Sequence, residues 1–302
     1  MIAIWGANGF IGRHCAHDLM TRSMHQLTLF ARDFTDFPLS ADERLTLVNA
    51  NFKDNPRIEA LGESQHIILT VSASGARTFA DQPDQERSEN YQPYQHFFSA
   101  LNALDQKNRH IIYLSSGGTV YGESSNRTPL KETAPCIPLS PYGQTKLDIE
   151  NALIQHCAMS GDTYTILRVA NPIGPWHKGR GILNAILQAA RTNDIVNIQN
   201  KGQTIRDYFA VQDLADAITR ACAPLTPHNN ILNIGSGQGL SINDLIALVE
   251  ETIHQKININ YIDAVETDVD YNVLDCTKSK DVLGWQATTP LADVINQMWN
   301  QL

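Results

Sequence analysis

Seven residues near the start of the chain, Gly6-Ala7-Asn8-Gly9-Phe10-Ile11-Gly12, restrict the fold more than any other stretch. They follow an apolar run over residues 2–5 and open a segment, 12–22, whose apolar residues recur at three- and four-residue spacing. The first run reads as a buried strand and the second as a helix. Between them Gly6 permits a tight turn, Gly9 lets a backbone approach a pyrophosphate, and Gly12 lets the helix lie close to the sheet. The helix N-terminus then offers amides and partial positive charge to phosphates. Glycine patterns are weak in isolation; this one stands between the elements that a dinucleotide loop requires.

The same alternation continues. Apolar runs at 27–31, 45–48, 66–71, 110–114 and 164–170 read as strands, and 84–105 and 142–159 read as helices. Strand and helix in turn predict an α/β fold, a doubly wound Rossmann-type parallel sheet. Past Asn171 the pattern loosens: Pro172, Gly174 and Pro175 break the chain, and Lys178-Gly179-Arg180-Gly181 reads as a loop. Helices are expected at 181–191, 213–222 and 291–299, strands at 206–210 and 231–234, and a capping box at Ser241-Ile242-Asn243-Asp244. The expected division is a dinucleotide-binding domain over 1–170, rejoined by 204–236. Residues 171–203 and 237–302 form a smaller substrate-binding domain at the carboxyl ends of the strands.

The second strand ends Ala31-Arg32. A dinucleotide site for NAD usually has an acidic residue near this place for the ribose 2′-hydroxyl, whereas a guanidinium suits the 2′-phosphate of NADP. Both cofactors stay open: Arg32 either grips a phosphate or lies on the surface beside an NAD site.

Tyr142-Gly143-Gln144-Thr145-Lys146 follows Ser140-Pro141, a helix start with proline in the first turn. Spacing of four sets phenol and amine on one helical face. A free phenol titrates near pH 10. An ammonium about 4 Å away stabilises the phenolate by up to ~4 kcal/mol at an effective dielectric of 20, a lowering of up to about three pH units. The strand before this helix runs into Ser115-Ser116-Gly117-Gly118-Thr119-Val120-Tyr121-Gly122, which supplies small hydroxyls at the carboxyl edge of the sheet. Such a hydroxyl can donate to a substrate oxygen while the tyrosine moves a proton.

Composition narrows the partners. The formal charge is -9 with no basic cluster, which argues against nucleic acid. Five scattered cysteines without a CxxC pair suit neither a metal site nor a disulfide framework, and no long apolar stretch suggests export or a membrane. A cytoplasmic protein is expected.

In the order and content of these motifs the chain resembles the extended short-chain dehydrogenase/reductases, in particular the NAD-dependent epimerase/dehydratase family that acts on nucleotide sugars, as UDP-glucose 4-epimerase does. The resemblance spans nearly the whole chain: Gly6 to Gly12, Asn90, Ser115 to Gly122, Tyr142 to Lys146, Leu167 to Pro172, Gly202 to Tyr208, Asn233 to Gly237, and Leu283-Gly284-Trp285. It implies that Asn51 and Phe52 sit by the adenine, that Thr70, Val71 and Ser72 line the cofactor, and that Asn90 and Lys146 hold it. It also implies that Asn171 and Arg206 meet the sugar nucleotide, Arg206 at the diphosphate, and that two copies pair through the helices at 84–105 and 142–159. One departure concerns the catalytic serine or threonine of the family, which lies two residues before the Thr of Thr-Val-Tyr-Gly. Here that residue is Gly117, so Ser116 or Thr119 is expected to donate the hydrogen bond. The Asp-Glu pair of dehydratases is missing, with Gly118 and Thr119 in its place. The implied activity is hydride transfer at the sugar C4, as in a UDP-hexose 4-epimerase. The alternative is an NADPH-dependent 4-keto-sugar reductase, and a more distant one a non-catalytic dinucleotide sensor.

Overall fold

The structure is a computed structural model that describes every residue except 39–41, 74, 76–77, 106–107, 125, 177–180, 224–225, 227 and 264–268. The Lys178–Arg180 part of the expected loop lies outside the described residues.

The chain runs β1 (Ile2–Trp5), α1 (Phe10–Arg22), β2 (Leu27–Ala31), β3 (Leu45–Asn49), β4 (His66–Leu69), α2 (Pro83–Glu86), a π-helical turn (Arg87–Tyr91), α3 (Gln92–Asn102) and β5 (His110–Ser116). There follow α4 (Gly117–Val120), α5 (Pro141–Ser160), β6 (Thr163–Val169), β7 (Asn171–Ile173), α6 (Gly181–Thr192), β8 (Ile195–Gln199), β9 (Ile205–Ala210) and α7 (Val211–Ala221). The last elements are β10 (Asn230–Ile234), β11 (Gly239–Ser241), α8 (Ile242–Ile253), β12 (Asn258–Ile262), β13 (Tyr271–Asn272), α9 (Thr277–Leu283) and α10 (Leu291–Trp299).

Seven parallel strands form the central sheet in the order β10-β6-β5-β4-β1-β2-β3. Because side chains alternate across a strand, Ile2 and Ile4 point to the face covered by α1 and α7, and Ala3 and Trp5 to the face covered by α3 and α5. Both faces are therefore apolar, which is why the strands read as continuous hydrophobic runs. Trp5 stacks on Phe30 at 3.8 Å between ring centroids. The strand order reverses between β1 and β4, and the loops that leave those two strands open the crevice where ligands bind in such sheets.

A smaller unit packs its own core from α6, α8, α10 and strands β8 and β9. The segment 204–236 divides between the two bodies. β10 joins the central sheet beside β6, while β9 pairs with β7, β11 and β13 in a four-stranded sheet. The capping box at Ser241 is present, with Asp244 N donating to Ser241 Oγ at 3.1 Å.

One expected element differs. The single helix over 84–105 is broken into α2, the π turn and α3, and ends at Asn102. Pro93, the second residue of α3, has no N–H to give the preceding turn, and the backbone widens just before it.

Candidate active site

The glycine loop sits at the reversal of strand order. Gly6 has φ +82, and a Cβ there would lie 2.6 Å from Thr70 Oγ1 at the end of β4. A Cβ on Gly12 would lie 2.8 Å from Ala7 Cα, backbone against backbone. Gly9 caps α1 without any side-chain bond, and Phe10, Ile11 and Gly12 form its first turn, so the end of the helix faces the crevice. Thr70 Oγ1 donates to Trp5 O at 2.8 Å and ties the two loops together. Asn8 reaches the other way, its Nδ2 donating to Asp33 O at 3.0 Å beyond β2.

Beneath this loop lies a cation that sequence reasoning missed. Arg13 is 5% exposed, and its Nε donates to Asn8 Oδ1 at 2.8 Å and Asn8 O at 3.1 Å. Its Nη2 is buried with no hydrogen-bond partner among the described residues. An uncapped helix end, glycines with no room for a side chain and an orphaned guanidinium nitrogen together fit a dinucleotide pyrophosphate. The signal was available: an arginine one residue past the last glycine.

A narrow cleft lies next to this crevice, lined by Val71, Ser72, Asn90, Tyr142 and Lys146 among the expected residues and by Glu86 among the unexpected ones. Ser140 starts α5 by accepting from Gly143 N at 3.1 Å, with Pro141 in the first turn, so Tyr142 and Lys146 emerge on one face. Asn90 is buried, and its Oδ1 accepts from Ala73 N at 2.8 Å, which fixes the chain just past Ser72.

The electrostatics of the pair correct the sequence-based expectation. Lys146 Nζ donates to Leu114 O at 3.0 Å and lies over the Tyr142 ring, 5.6 Å from its centroid, while the phenol hydrogen-bonds Ser72. The ammonium thus meets the ring face and does not lower the phenol. Burial pushes Tyr142 up to about 12, opposed by the Ser72 bond and reinforced by Glu86. Burial lowers Lys146 to about 8, with Glu86 and Glu150 supporting its charge.

A profile described as the NAD dependent epimerase/dehydratase family matches residues 2–235. The chain belongs to that family. It is accordingly an NAD(P)-dependent enzyme of the extended short-chain dehydrogenase/reductase type. It is 28% identical to dTDP-4-dehydro-6-deoxyglucose reductase of Escherichia coli, over 98% of this chain and 96% of the relative. Among solved structures, UDP-glucose 4-epimerase of Thermotoga maritima with UDP-glucose superposes with a TM-score of 0.87 at 24% identity, over 99% of this chain and 97% of the other. UDP-glucuronic acid 4-epimerase of Bacillus cereus with UDP-glucuronic acid and NAD gives 0.90 at 21%, over 99% and 98%.

The remaining residues expected from the epimerase/dehydratase pattern lie at three other places. Arg32 is exposed just past β2. Past β3, Asn51 is exposed and bonds Asp54 at 2.7 Å, while Phe52 is buried against Tyr94 and Phe97. Asn171 on β7 and Arg206 on β9 are half-buried in the small sheet, where Asn171 Nδ2 donates to Asp207 O at 3.3 Å.

Gly117 has a physical reason. A Cβ there would lie 2.6 Å from Leu274 Cδ1 and 3.0 Å from Arg168 O, so the family's usual serine would strike a packed interior. Ser116 and Thr119 flank it without lining the cavity. Ser116 is half-buried, and Thr119 Oγ1 is buried with no hydrogen-bond partner among the described residues. Ser115 is taken: its hydroxyl donates to Glu150, which also pairs with Arg168 at 2.7 Å.

Among the described residues no cluster of three or more side chains is arranged to hold a metal ion, and no helix is long and apolar enough to cross a membrane.

Proposed function

We propose that this enzyme interconverts or reduces nucleotide sugars by hydride transfer at the sugar C4, with Tyr142 exchanging the hydroxyl proton. The observation that carries the reading is the cavity beside the glycine loop, where Tyr142, Lys146 and Asn90 converge. In this reading the larger unit holds the dinucleotide, with Arg13 and the α1 end at its pyrophosphate, Asn51 and Phe52 toward its adenine and Thr70 along its floor. The smaller unit brings Asn171 and Arg206 to the sugar nucleotide, and a guanidinium on β9 suits a diphosphate. The nicotinamide supplies the hydride chemistry when bound; Lys146 orients its ribose and Tyr142 manages the proton. Two copies pair through α3 and α5, and the five free thiols suit a reducing cytoplasm.

Ala31 and the exposed Arg32 favour the second form of the reading, a 4-ketoreductase that uses NADPH. The deciding experiment incubates the purified protein with UDP- and dTDP-linked sugars and their 4-keto forms, with either cofactor. Epimerisation leaves the total cofactor oxidation state unchanged, whereas reduction oxidises one NADPH per product. No conversion of any sugar by protein that binds cofactor overturns both forms.

Two variants sharpen the assignment. Arg32→Ala is expected to weaken NADP(H) binding by roughly ten- to a hundredfold, the worth of a hydrogen bond to a charged group, and to leave NAD(H) binding unchanged. Equal effects on both cofactors in a titration would remove Arg32 from the site. Thr119→Ala is expected to lower kcat by about 10²–10³, the cost of losing a donor to a developing oxyanion, because its buried hydroxyl has no partner among the described residues. If Ser116→Ala shows that loss instead, the donor is Ser116.

A further inference from the structure

A buried carboxylate shares the cavity with the phenol and the amine. Glu86 closes α2, is 1% exposed and lines the same space as Tyr142 and Lys146. Asn90 Nδ2 donates to Glu86 Oε1 at 2.9 Å. Asn90 Oδ1 in turn accepts from Ala73 N at 2.8 Å and Ser72 Oγ at 3.4 Å, and Ser72 bonds the Tyr142 phenol. A continuous polar chain therefore runs from Glu86 through Asn90 and Ser72 to the Tyr142 hydroxyl. The π turn Arg87–Tyr91 lies between Glu86 and Asn90, and widened turns of this kind recur at functional sites.

A carboxylate so deeply buried needs a counter-charge as well as a hydrogen bond. Lys146, 7% exposed, is the cation among the described residues that line this cavity. Among the described residues, the other titratable groups that face it do not supply a free anion. Tyr113 of β5, whose ring centroid is 5.1 Å from Nζ, and Tyr94 of α3 are both pushed up by burial and stay neutral. Tyr142 of α5 is likewise raised. Glu150, one turn further along α5, is held by Arg168 of β6 and by Ser115.

We propose that Glu86 is a positioning residue: the buried counter-ion that keeps Lys146 an ammonium and, through Asn90 and Ser72, fixes the Tyr142 hydroxyl. This rests on the reading of Tyr142 and Lys146 as the proton-handling pair. It places at the site an acid that neither the sequence motifs nor the glycine loop indicates. Its electrical effect is a trade: the charge that supports the ammonium also opposes ionisation of the phenol.

The test uses full-length protein and two substitutions. Glu86→Gln preserves the shape and an acceptor for Asn90 but removes the charge; Glu86→Asp keeps the charge on a shorter stem. The Lys146 titration is followed by NMR of ¹³Cε-labelled lysine, assigned against Lys146→Met, with no substrate present. In Glu86→Gln the lysine is expected to lose its proton about one pH unit or more below wild type, the scale of an opposite charge within several ångströms. The alkaline limb of kcat/KM moves down with it. Glu86→Asp is expected to stay closer to wild type than to the glutamine variant. An unchanged lysine titration in Glu86→Gln, an aspartate variant that titrates like it, or a rate loss equal at every pH overturns the assignment. If Glu86→Gln does not fold, Glu86→Met takes its place with the same readings: a lysine titration about one pH unit or more below wild type supports the counter-ion, and an unchanged one overturns it. If no nucleotide sugar is converted but the lysine titration shifts as stated, the proposed function fails and the counter-ion stands.

Discussion

Tyr142→Phe is expected to lower kcat by about 10²–10⁴, the usual worth of a positioned general acid or base, with NAD(P)H affinity within about twofold of wild type. The asymmetry follows from what the hydroxyl does. The ring packs under Lys146 and phenylalanine preserves it, whereas the oxygen bonds Ser72 and contributes nothing to the glycine loop. Turnover of a nucleotide sugar and fluorescence titration of the reduced cofactor measure the two effects separately. A variant that keeps more than about a tenth of the wild-type rate would remove Tyr142 from proton transfer.

The same residues set a pH dependence. With its phenol at about 12, Tyr142 is in the acid form throughout the neutral range and is a ready donor toward a keto oxygen. Lys146, lowered to about 8 by burial, carries its charge below that pH and loses it above. The rate in the reducing direction is therefore expected to be level through neutrality and to fall as the pH rises past about 8.

Much of the large unit was legible because both faces of its sheet are buried. A strand such as Ile2–Trp5 then has no polar alternation to confuse, and the glycine loop marks where strand becomes helix. The smaller strands were less visible for the opposite reason. β8 alternates exposed and buried residues at the edge of a two-stranded sheet, and β11 and β13 are two or three residues long. The break near Asn90 had a signal in Pro93, but an apolar period of 3.6 carries no mark of a widened turn. At the site, spacing shows which face a side chain shares and not where its charged end goes. Lys146 found Leu114 O, and no local pattern contains that contact. Gly117 likewise takes its reason from Leu274, on the far side of the small unit in sequence. Nothing in the local sequence marks Glu86, and it joins the site only because the fold brings Asn90 and Lys146 to the same cleft.

Acid is expected to destabilise the fold through histidines at the opposite edge of the sheet from the cavity. His66 on β4 and His110 on β5 are register partners, with their Nδ1 atoms 3.3 Å apart. His110 Nε2 meets Thr165 Oγ1 at 2.9 Å, and the His228 ring stacks on His110 at 3.9 Å between centroids. Burial is the chief reason that His110 is lowered to about 3 and His66 to about 4, and the neighbouring rings add to it. Both folded-state values lie below the unfolded value near 6.5, so the unfolded chain binds more protons as the pH drops. Stability is therefore full above about pH 6.5 and is lost progressively as the pH falls toward the folded values. For His110, which is 2% exposed, the loss amounts to about 2 kcal/mol by about pH 5. His66 adds a smaller amount because its ring is partly solvated. Against the 5–15 kcal/mol typical of a whole domain, this loss is large. Urea midpoints measured between about pH 7 and pH 5 should fall steeply for the native chain and less steeply for His110→Asn, whatever its stability at neutral pH. Equal slopes for the two would mean that the histidine stack takes up its protons without strain and that acid acts elsewhere.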